Sequence, residues 1–408
     1  MAGSNSRSGF SREWKHMYKI LTLNNIAVEG LRHFPRERYE VASEITHPDA
    51  IILRSFNMHG MEIPETVAAV GRAGAGVNNI PINALSARGV PVFNAPGANA
   101  NAVKELAIAA LLLAARNLCD AREYVKGLNE SGDALSKAVE AGKKEFVGFE
   151  LPGKTLGVVG LGAVGVEVAN AALGLGMSVI GFDPSITVRA AWQLSSGVEQ
   201  AETLDQVFRK ADAVSVHVPL MDETRNLVNR DRLALMNNNA VVVNFARGGV
   251  VDDSATLSAL DSGKLHAYVS DFPTSELIAH PKVIALPHLG ASTAEAEESC
   301  AIMVAENVKD YLENGNVRFS VNFPQARLPR LDAWRVTVAN ANVPNMVGQI
   351  STCLANAGLN IEDLLNKSIG DLAYTIVDVN GEVSAETMAQ LRAIEGVMTL
   401  RNLGKPVT

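Results

Sequence analysis

Short apolar runs recur along the chain, separated by longer stretches in which apolar residues return every three or four positions. Tyr18 to Leu23, Ala50 to Leu53 and Val67 to Gly74 read as buried strands, because a strand covered on both faces loses the alternation of a half-exposed sheet. Strands alternating with helices predict βαβ units around a parallel sheet, with a first α/β unit at 17–98. Residues Asn101 to Arg116 are rich in Ala and Leu and lack Gly and Pro, which predicts a buried helix leaving that unit. The more polar stretch from Asn129 to Glu150 reads as surface structure near a domain boundary.

A second pattern begins at Thr155 to Val159, an apolar run followed by glycine punctuation from Gly160 to Gly165 and helical spacing from Val166 to Leu175. Further strands are expected at 177–182, 213–218, 240–244, 266–270 and 283–286, which completes a doubly wound domain. Beyond Leu331 the order is a strand at 334–339, a helix at about 344–357, strands near 360–368 and 373–379, a helix near 385–394 and a strand at 397–400. That is the βαββαβ order of a ferredoxin-like unit. The expected fold class is α/β: two doubly wound Rossmann-like domains, the outer one discontinuous, plus a small C-terminal ferredoxin-like domain. The expected division is 17–98 with 286–328, then 99–285, then 331–408, with 1–16 as a disordered tail or tag.

Composition narrows the classes. The 408 residues carry 44 acidic and 36 basic side chains, a net charge of −8, which argues against broad nucleic-acid binding. The longest apolar run, Leu106 to Ala115, is about half the ~20 residues that cross a bilayer, so no membrane segment is expected. Cys119, Cys300 and Cys353 are odd in number and scattered; they write neither a disulfide framework nor a metal site, and a reducing cytoplasm is the expected compartment.

Candidate chemistry concentrates at the ends of strands. Gly160-Leu161-Gly162-Ala163-Val164-Gly165 fits the dinucleotide fingerprint between a strand and a helix. The first glycine makes the turn, the second admits a pyrophosphate, and the third lets helix and strand approach closely. Asp183 closes the next strand, 18 residues after Gly165, where a carboxylate accepts hydrogen bonds from ribose hydroxyls and repels a 2′-phosphate. NAD is therefore favoured over NADP. Downstream, Arg247, then Asp271 and Glu276, then His288 follow three successive strand-like runs. An imidazole takes a hydroxyl proton, a carboxylate orients it, and a guanidinium grips a substrate carboxylate.

This series, with His217-Val218-Pro219-Leu220, Asn244-Phe245-Ala246-Arg247-Gly248-Gly249 and Pro287-His288-Leu289-Gly290, resembles the D-isomer-specific 2-hydroxyacid dehydrogenases over about residues 17–325. The resemblance implies that Arg247 binds the substrate carboxylate and polarises the C2 oxygen, that His288 is the acid/base, and that Glu276 is its paired carboxylate. It implies that Asp271 faces the nicotinamide amide, and that His217, Pro219, Phe245, Ala246 and Gly290 join Gly160, Gly162, Ala163, Val164, Gly165 and Asp183 around NAD. For His217 a satisfied strand-end histidine is an equal alternative.

Within that family, Arg72 to Pro81 and Phe93 to Asn101 resemble members acting on 3-phospho-D-glycerate, oxidised to 3-phosphohydroxypyruvate at the start of L-serine synthesis. The substrate carries about three negative charges and needs several donors. Arg54 and Ser55 match the phosphate position, backbone N–H groups around Ala75 and Gly76 serve the carboxylate with Arg247, and Asn99 matches a substrate-side position. Lys143 or Lys144 is a further candidate, against the plainer reading of a solvated lysine pair.

The C-terminal unit looks like an ACT domain, which implies an L-serine effector at Asn340, Asn342 and Asn360 and a homo-oligomer paired through the 101–116 helix and the tail. Asn340 stands where some relatives place a His, and turn-forming is the alternative for all three Asn residues. Two other functions stand beside the first: a hydroxypyruvate or glyoxylate reductase, and an NAD-sensing corepressor on the same fold.

Overall fold

In the computed structural model, residues 17–406 are described; the tail expected at 1–16 lies outside them. The described residues form two compact units, 17–95 with 298–406, and Pro96–Glu297. The chain returns to the first unit within the long helix Ala294–Asn314, beyond the expected position of 286. The residues expected as a separate small domain at 331–408 belong to the same compact unit as the first sheet.

That first sheet is built from β1 (Tyr18–Leu23), β2 (Tyr39–Ala42), β3 (Ala50–Leu53), β4 (Ala69–Arg72) and β5 (Val92–Phe93). All pairings are parallel, in the order β2-β1-β3-β4-β5. Every residue of β3 is buried, which is why its sequence is a continuous apolar run. The last turns of the 294–314 helix are fastened to this sheet by the Tyr18 hydroxyl, which donates to the Leu312 carbonyl at 2.9 Å, and by the Phe93 and Tyr311 rings, 5.6 Å apart.

The second unit carries β6 (Thr155–Val159), β7 (Ser178–Phe182), β8 (Val198–Gln200), β9 (Ala213–Val216), β10 (Ala240–Asn244), β11 (Leu265–Ser270) and β12 (Val283–Ala285). They form one parallel sheet in the order β12-β11-β10-β9-β6-β7-β8. Neighbouring strand residues point to opposite faces, so Val158 and Val179 join one core while Val159 and Ile180 join another. The Ala-rich helix Ala100–Ala115 lies in the first of these cores with helix Ala163–Gly174. The strand order reverses at β6, where β7 and β9 lie on either side, and ligands of open parallel sheets bind outside the carboxyl ends at such a point. The polar 129–150 stretch contains a helix, Gly132–Gly142, and one 3₁₀ turn, Lys143–Phe146.

A four-stranded antiparallel sheet closes the chain: β13 (Trp334–Ala341), β14 (Ile361–Ile369), β15 (Leu372–Val379) and β16 (Val397–Gly404), ordered β14-β15-β13-β16. Helices Met346–Asn356 and Ala385–Arg392 complete the ferredoxin-like order. Arg335 on β13 is fully buried and spends all five guanidinium N–H groups. Nε and Nη2 donate to the two Asp378 oxygens at 2.7 Å each, Nη1 to the carbonyls of Asn314 and Leu328, and Nη2 also to that of Pro329. The sheet is thereby tied to the end of the long helix and to the linker after it.

Candidate active site

The chain leaves β6 through Gly160, whose φ of +89° is open to glycine and where a Cβ would stand 2.7 Å from the His217 carbonyl oxygen. The next amide, Leu161 N, donates to Asp183 Oδ2 at 2.8 Å, and Ser185 N donates to Oδ1 at 2.8 Å. Two backbone donors thus fix the Asp183 carboxylate at the end of β7 while leaving further lone pairs for hydroxyl donors. The helix begins at Ala163, three residues earlier than its spacing predicts, so Ala163, Val164 and Gly165 form its first turn. N–H groups in that position have no partner within the helix and favour an anion. A Cβ added at Gly162 would meet nothing within 4 Å, which leaves open space for a pyrophosphate, whereas one added at Gly165 would collide with the Gly160 carbonyl.

Asp271 follows β11 and is buried. Its Oδ2 accepts from Gly290 N at 2.7 Å, which holds the loop carrying His288, and its Oδ1 is buried without a hydrogen-bond partner. A buried carboxylate oxygen without a donor is costly, and a carboxamide N–H supplies what is missing. The residues present therefore fit a nicotinamide dinucleotide: a glycine cradle, a ribose carboxylate and an amide acceptor.

Arg247 follows β10 on an exposed loop. Asn244 clamps that loop, its Nδ2 donating to the Arg247 carbonyl at 3.0 Å and its Oδ1 accepting from Ala246 N at 3.1 Å. Asn244 is buried; its motif position was legible in the sequence, its clamping role was not. Arg247 Nη1 donates to the Ala246 carbonyl at 2.7 Å. His288 follows β12 with a φ of +56°, exposed, its ring 5.0 Å from the Phe272 ring. Arg247, Asp271 and His288 thus occupy the carboxyl ends of three adjacent strands.

Glu276 is exposed in the short helix Ser275–Ile278, and no hydrogen bond joins it to His288. It lies close enough to Asp253 that, after burial, its charge helps to raise that carboxyl's pKa. His217 Nε2 shares a hydrogen bond of 2.8 Å with the Ser215 hydroxyl, and burial lowers its pKa to about 4; the imidazole is satisfied and neutral. The Pro219 carbonyl accepts from the Thr224 hydroxyl at 2.6 Å. Phe245, expected at the cofactor, has its side chain in the apolar core.

In the first unit, Arg54 and Ser55 follow β3, and Ala75 and Gly76 follow β4. The Arg54 carbonyl accepts from Arg72 Nε at 3.0 Å, and the Ala75 carbonyl accepts from Asn94 Nδ2 at 2.6 Å, so the backbone is braced just beyond the carboxyl ends of these two neighbouring strands. Asn99 caps the 100–115 helix without a side-chain hydrogen bond. Lys143 is exposed and ion-paired with Glu140.

The three Asn positions of the C-terminal sheet do not meet within one chain. Asn342 follows the end of β13 that pairs with Leu372, whereas Asn360 precedes the end of β14 that pairs with Val379. Along β15 those ends are roughly 23 Å apart at the usual strand rise. Asn340 is buried, with Nδ2 donating to the Ala341 carbonyl at 2.7 Å and Oδ1 without a partner.

Residues 108–290 match the family model described as D-isomer specific 2-hydroxyacid dehydrogenase, NAD binding domain. D-3-phosphoglycerate dehydrogenase of Methanocaldococcus jannaschii is 35% identical over 352 residues, 83% of this chain and 63% of that protein. The protein of the same name from Haemophilus influenzae is 33% identical over 357 residues, 84% of this chain and 83% of that protein. A crystal structure of NAD⁺-bound 3-phosphoglycerate dehydrogenase from Entamoeba histolytica superposes with a TM-score of 0.59 at 27% identity, covering 75% of this chain and 99% of that one. The chain thus spans less than two thirds of the length of the archaeal relative and most of the bacterial one.

Proposed function

Because this chain belongs to the D-isomer-specific 2-hydroxyacid dehydrogenases, we propose that it oxidises 3-phospho-D-glycerate at C2 to 3-phosphohydroxypyruvate with NAD⁺, the entry reaction of L-serine synthesis. The observation that carries this reading is the set of Arg247, Asp271 and His288 on adjacent strand ends beside a glycine cradle and Asp183. When bound, NAD⁺ supplies the acceptor for the hydride that leaves C2.

The chain's own residues do the rest. Asp183 would accept from the ribose hydroxyls, the first turn at Ala163 to Gly165 would hold the pyrophosphate, and Asp271 Oδ1 would accept from the carboxamide. Arg247 pairs with the substrate carboxylate and draws electron density from the C2 oxygen. His288 takes the C2 hydroxyl proton as the carbonyl forms, and Glu276, assigned by its motif position alone, stabilises the resulting imidazolium. Arg54 is assigned to the phosphate on the same ground. An L-serine site at Asn340, Asn342 and Asn360 requires a second copy of the chain, since one copy holds Asn360 at the opposite end of β15 from Asn340 and Asn342.

The test is an NADH-coupled assay of 3-phosphohydroxypyruvate reduction, with and without L-serine, on the wild type, His288→Ala and Arg247→Ala. Each variant is expected to lower kcat/KM by about 10² to 10⁴ while His288→Ala still binds NADH. Near-wild-type turnover in both removes the assignment. The phosphorylated substrate is expected to exceed hydroxypyruvate in kcat/KM by at least about tenfold, since lost phosphate contacts weaken transition-state binding. Equal values favour a hydroxypyruvate reductase.

A further inference from the structure

Away from the strand-end residues, the first compact unit contains a cavity of about 580 Å³. Its walls come from the first sheet (Tyr18 and Arg38), the last turn of the 294–314 helix (Glu313), the linker (Arg330) and the C-terminal sheet and its end (Arg401 and Lys405). Four cationic side chains stand there against two acids, Asp49 and Glu313. Glu313 is already committed, ion-paired with Arg38 at 3.2 Å and accepting from the Tyr39 hydroxyl at 2.7 Å. Arg401 is held by the Tyr311 and Leu312 carbonyls, 2.8 Å each, with its guanidinium 4.5 Å from the centre of the Tyr311 ring.

Arg330 is the exception. Its Nη2 reaches the Gly404 carbonyl at 2.9 Å, but its Nε and Nη1 are buried with no hydrogen-bond partner. The contrast lies five residues away: Arg335, fully buried where Arg330 is half-buried, uses every donor and has Asp378 as its counter-ion. Among the described residues no carboxylate hydrogen-bonds Arg330; burial and then the Arg335 charge lower its pKa, and the more distant Asp378 charge offsets only part of that. An anion brought from outside would stabilise a guanidinium in that state.

We propose that this cavity binds a small organic dianion, a dicarboxylate or a phosphorylated carboxylate, with one acid group toward the Arg330 guanidinium and the other toward Lys405, in place of that side chain's exposed ion pair with Asp332. The volume exceeds what a single inorganic ion fills, since one water occupies about 30 Å³, and the lining supplies two cations more than acids. Because the walls belong to both the first sheet and the C-terminal sheet, the occupant bridges them and slows their separation. The proposal stands independently of the dehydrogenase reading.

The test is calorimetric titration of the full chain with succinate and with inorganic phosphate at low ionic strength, followed by amide hydrogen exchange. Saturable succinate binding is expected, tighter than phosphate, with slower exchange in Val397–Gly404 and Tyr18–Leu23. Arg330→Gln is expected to weaken succinate at least tenfold with NADH binding unchanged. Lys405→Gln alters an exposed side chain that leaves folding intact, and it is expected to weaken succinate about threefold. Absence of saturable binding by the wild type, or succinate affinity unchanged in Lys405→Gln and in folded Arg330→Gln, overturns the site. Phosphate binding as tightly as succinate overturns the two-acid ligand.

Discussion

Burial holds the His217 imidazole at a pKa of about 4, against an ordinary value of 6.5. A group whose folded pKa is depressed binds fewer protons in the folded than in the unfolded state between those two values, so stability rises with pH across that window. The contribution is complete above pH 6.5 and is lost as the pH falls toward 4, by up to about 3 kcal/mol. In His217→Asn, which cannot titrate, the loss of unfolding free energy between pH 7 and pH 4 is expected to shrink by up to that amount, measured by urea unfolding at each pH. Asp183 works with the opposite sign: its charge, fixed by Leu161 N and Ser185 N, repels a 2′-phosphate. Asp183→Asn keeps an acceptor and removes the charge, and is expected to cut the preference for NAD over NADP at least about tenfold, read as the ratio of the two kcat/KM values. An unchanged ratio would show that the pocket's shape, and not this carboxylate, selects the cofactor.

At the scale of elements, the glycine turn separates two roles that its motif presents as one. Gly162→Ala places a methyl in open space, so Tm is expected to change little while NADH affinity falls at least about tenfold as the methyl takes the pyrophosphate's room. Gly165→Ala drives a methyl into the Gly160 carbonyl and is expected to cost about 1–3 kcal/mol of stability through strain and backbone shift; matching Tm and affinity in the two variants would refute the distinction. Elements legible in the sequence were inner strands of the two parallel sheets: Tyr18–Leu23, Ala50–Leu53 and Ala240–Asn244 begin and end where their strand-like runs do. The edge strands Tyr39–Ala42 and Val198–Gln200 carry Glu40 and Glu199 and are short, so no periodicity marks them. In the site, residues embedded in a motif were legible, whereas the Asn244 clamp and the Ser215–His217 hydrogen bond were not. They depend on how a loop folds back on itself, which spacing does not encode.

For the whole molecule, the five-donor arrangement of Arg335 decides how the C-terminal sheet is attached. Asp378→Ala leaves a buried guanidinium without its counter-ion and is expected to destabilise the chain by about 3–5 kcal/mol, seen as a lower urea midpoint. Replacing both partners by Arg335→Met with Asp378→Leu is the sharper experiment, because an apolar pair often restores a simple buried ion pair. Here it is expected to fail, since the Asn314, Leu328 and Pro329 carbonyls lose their donor as well; full recovery would show that those three bonds contribute nothing. None of this was legible beforehand, because the partners of Arg335 lie 21, 7, 6 and 43 positions away.

The same seam bears on how such a tail is inherited. The Thr399 hydroxyl donates to the Arg88 carbonyl at 2.7 Å, the Tyr374 hydroxyl to the Gly315 carbonyl at 2.8 Å, and Arg401 closes the end of the long helix. An exchanged or deleted tail would strip donors from carbonyls scattered through the first sheet's surroundings and through the helix end. The tail is therefore not a freely interchangeable module, and a chimera that swaps it between relatives keeps those carbonyls paired only when the incoming tail supplies donors at the places of Tyr374, Thr399 and Arg401.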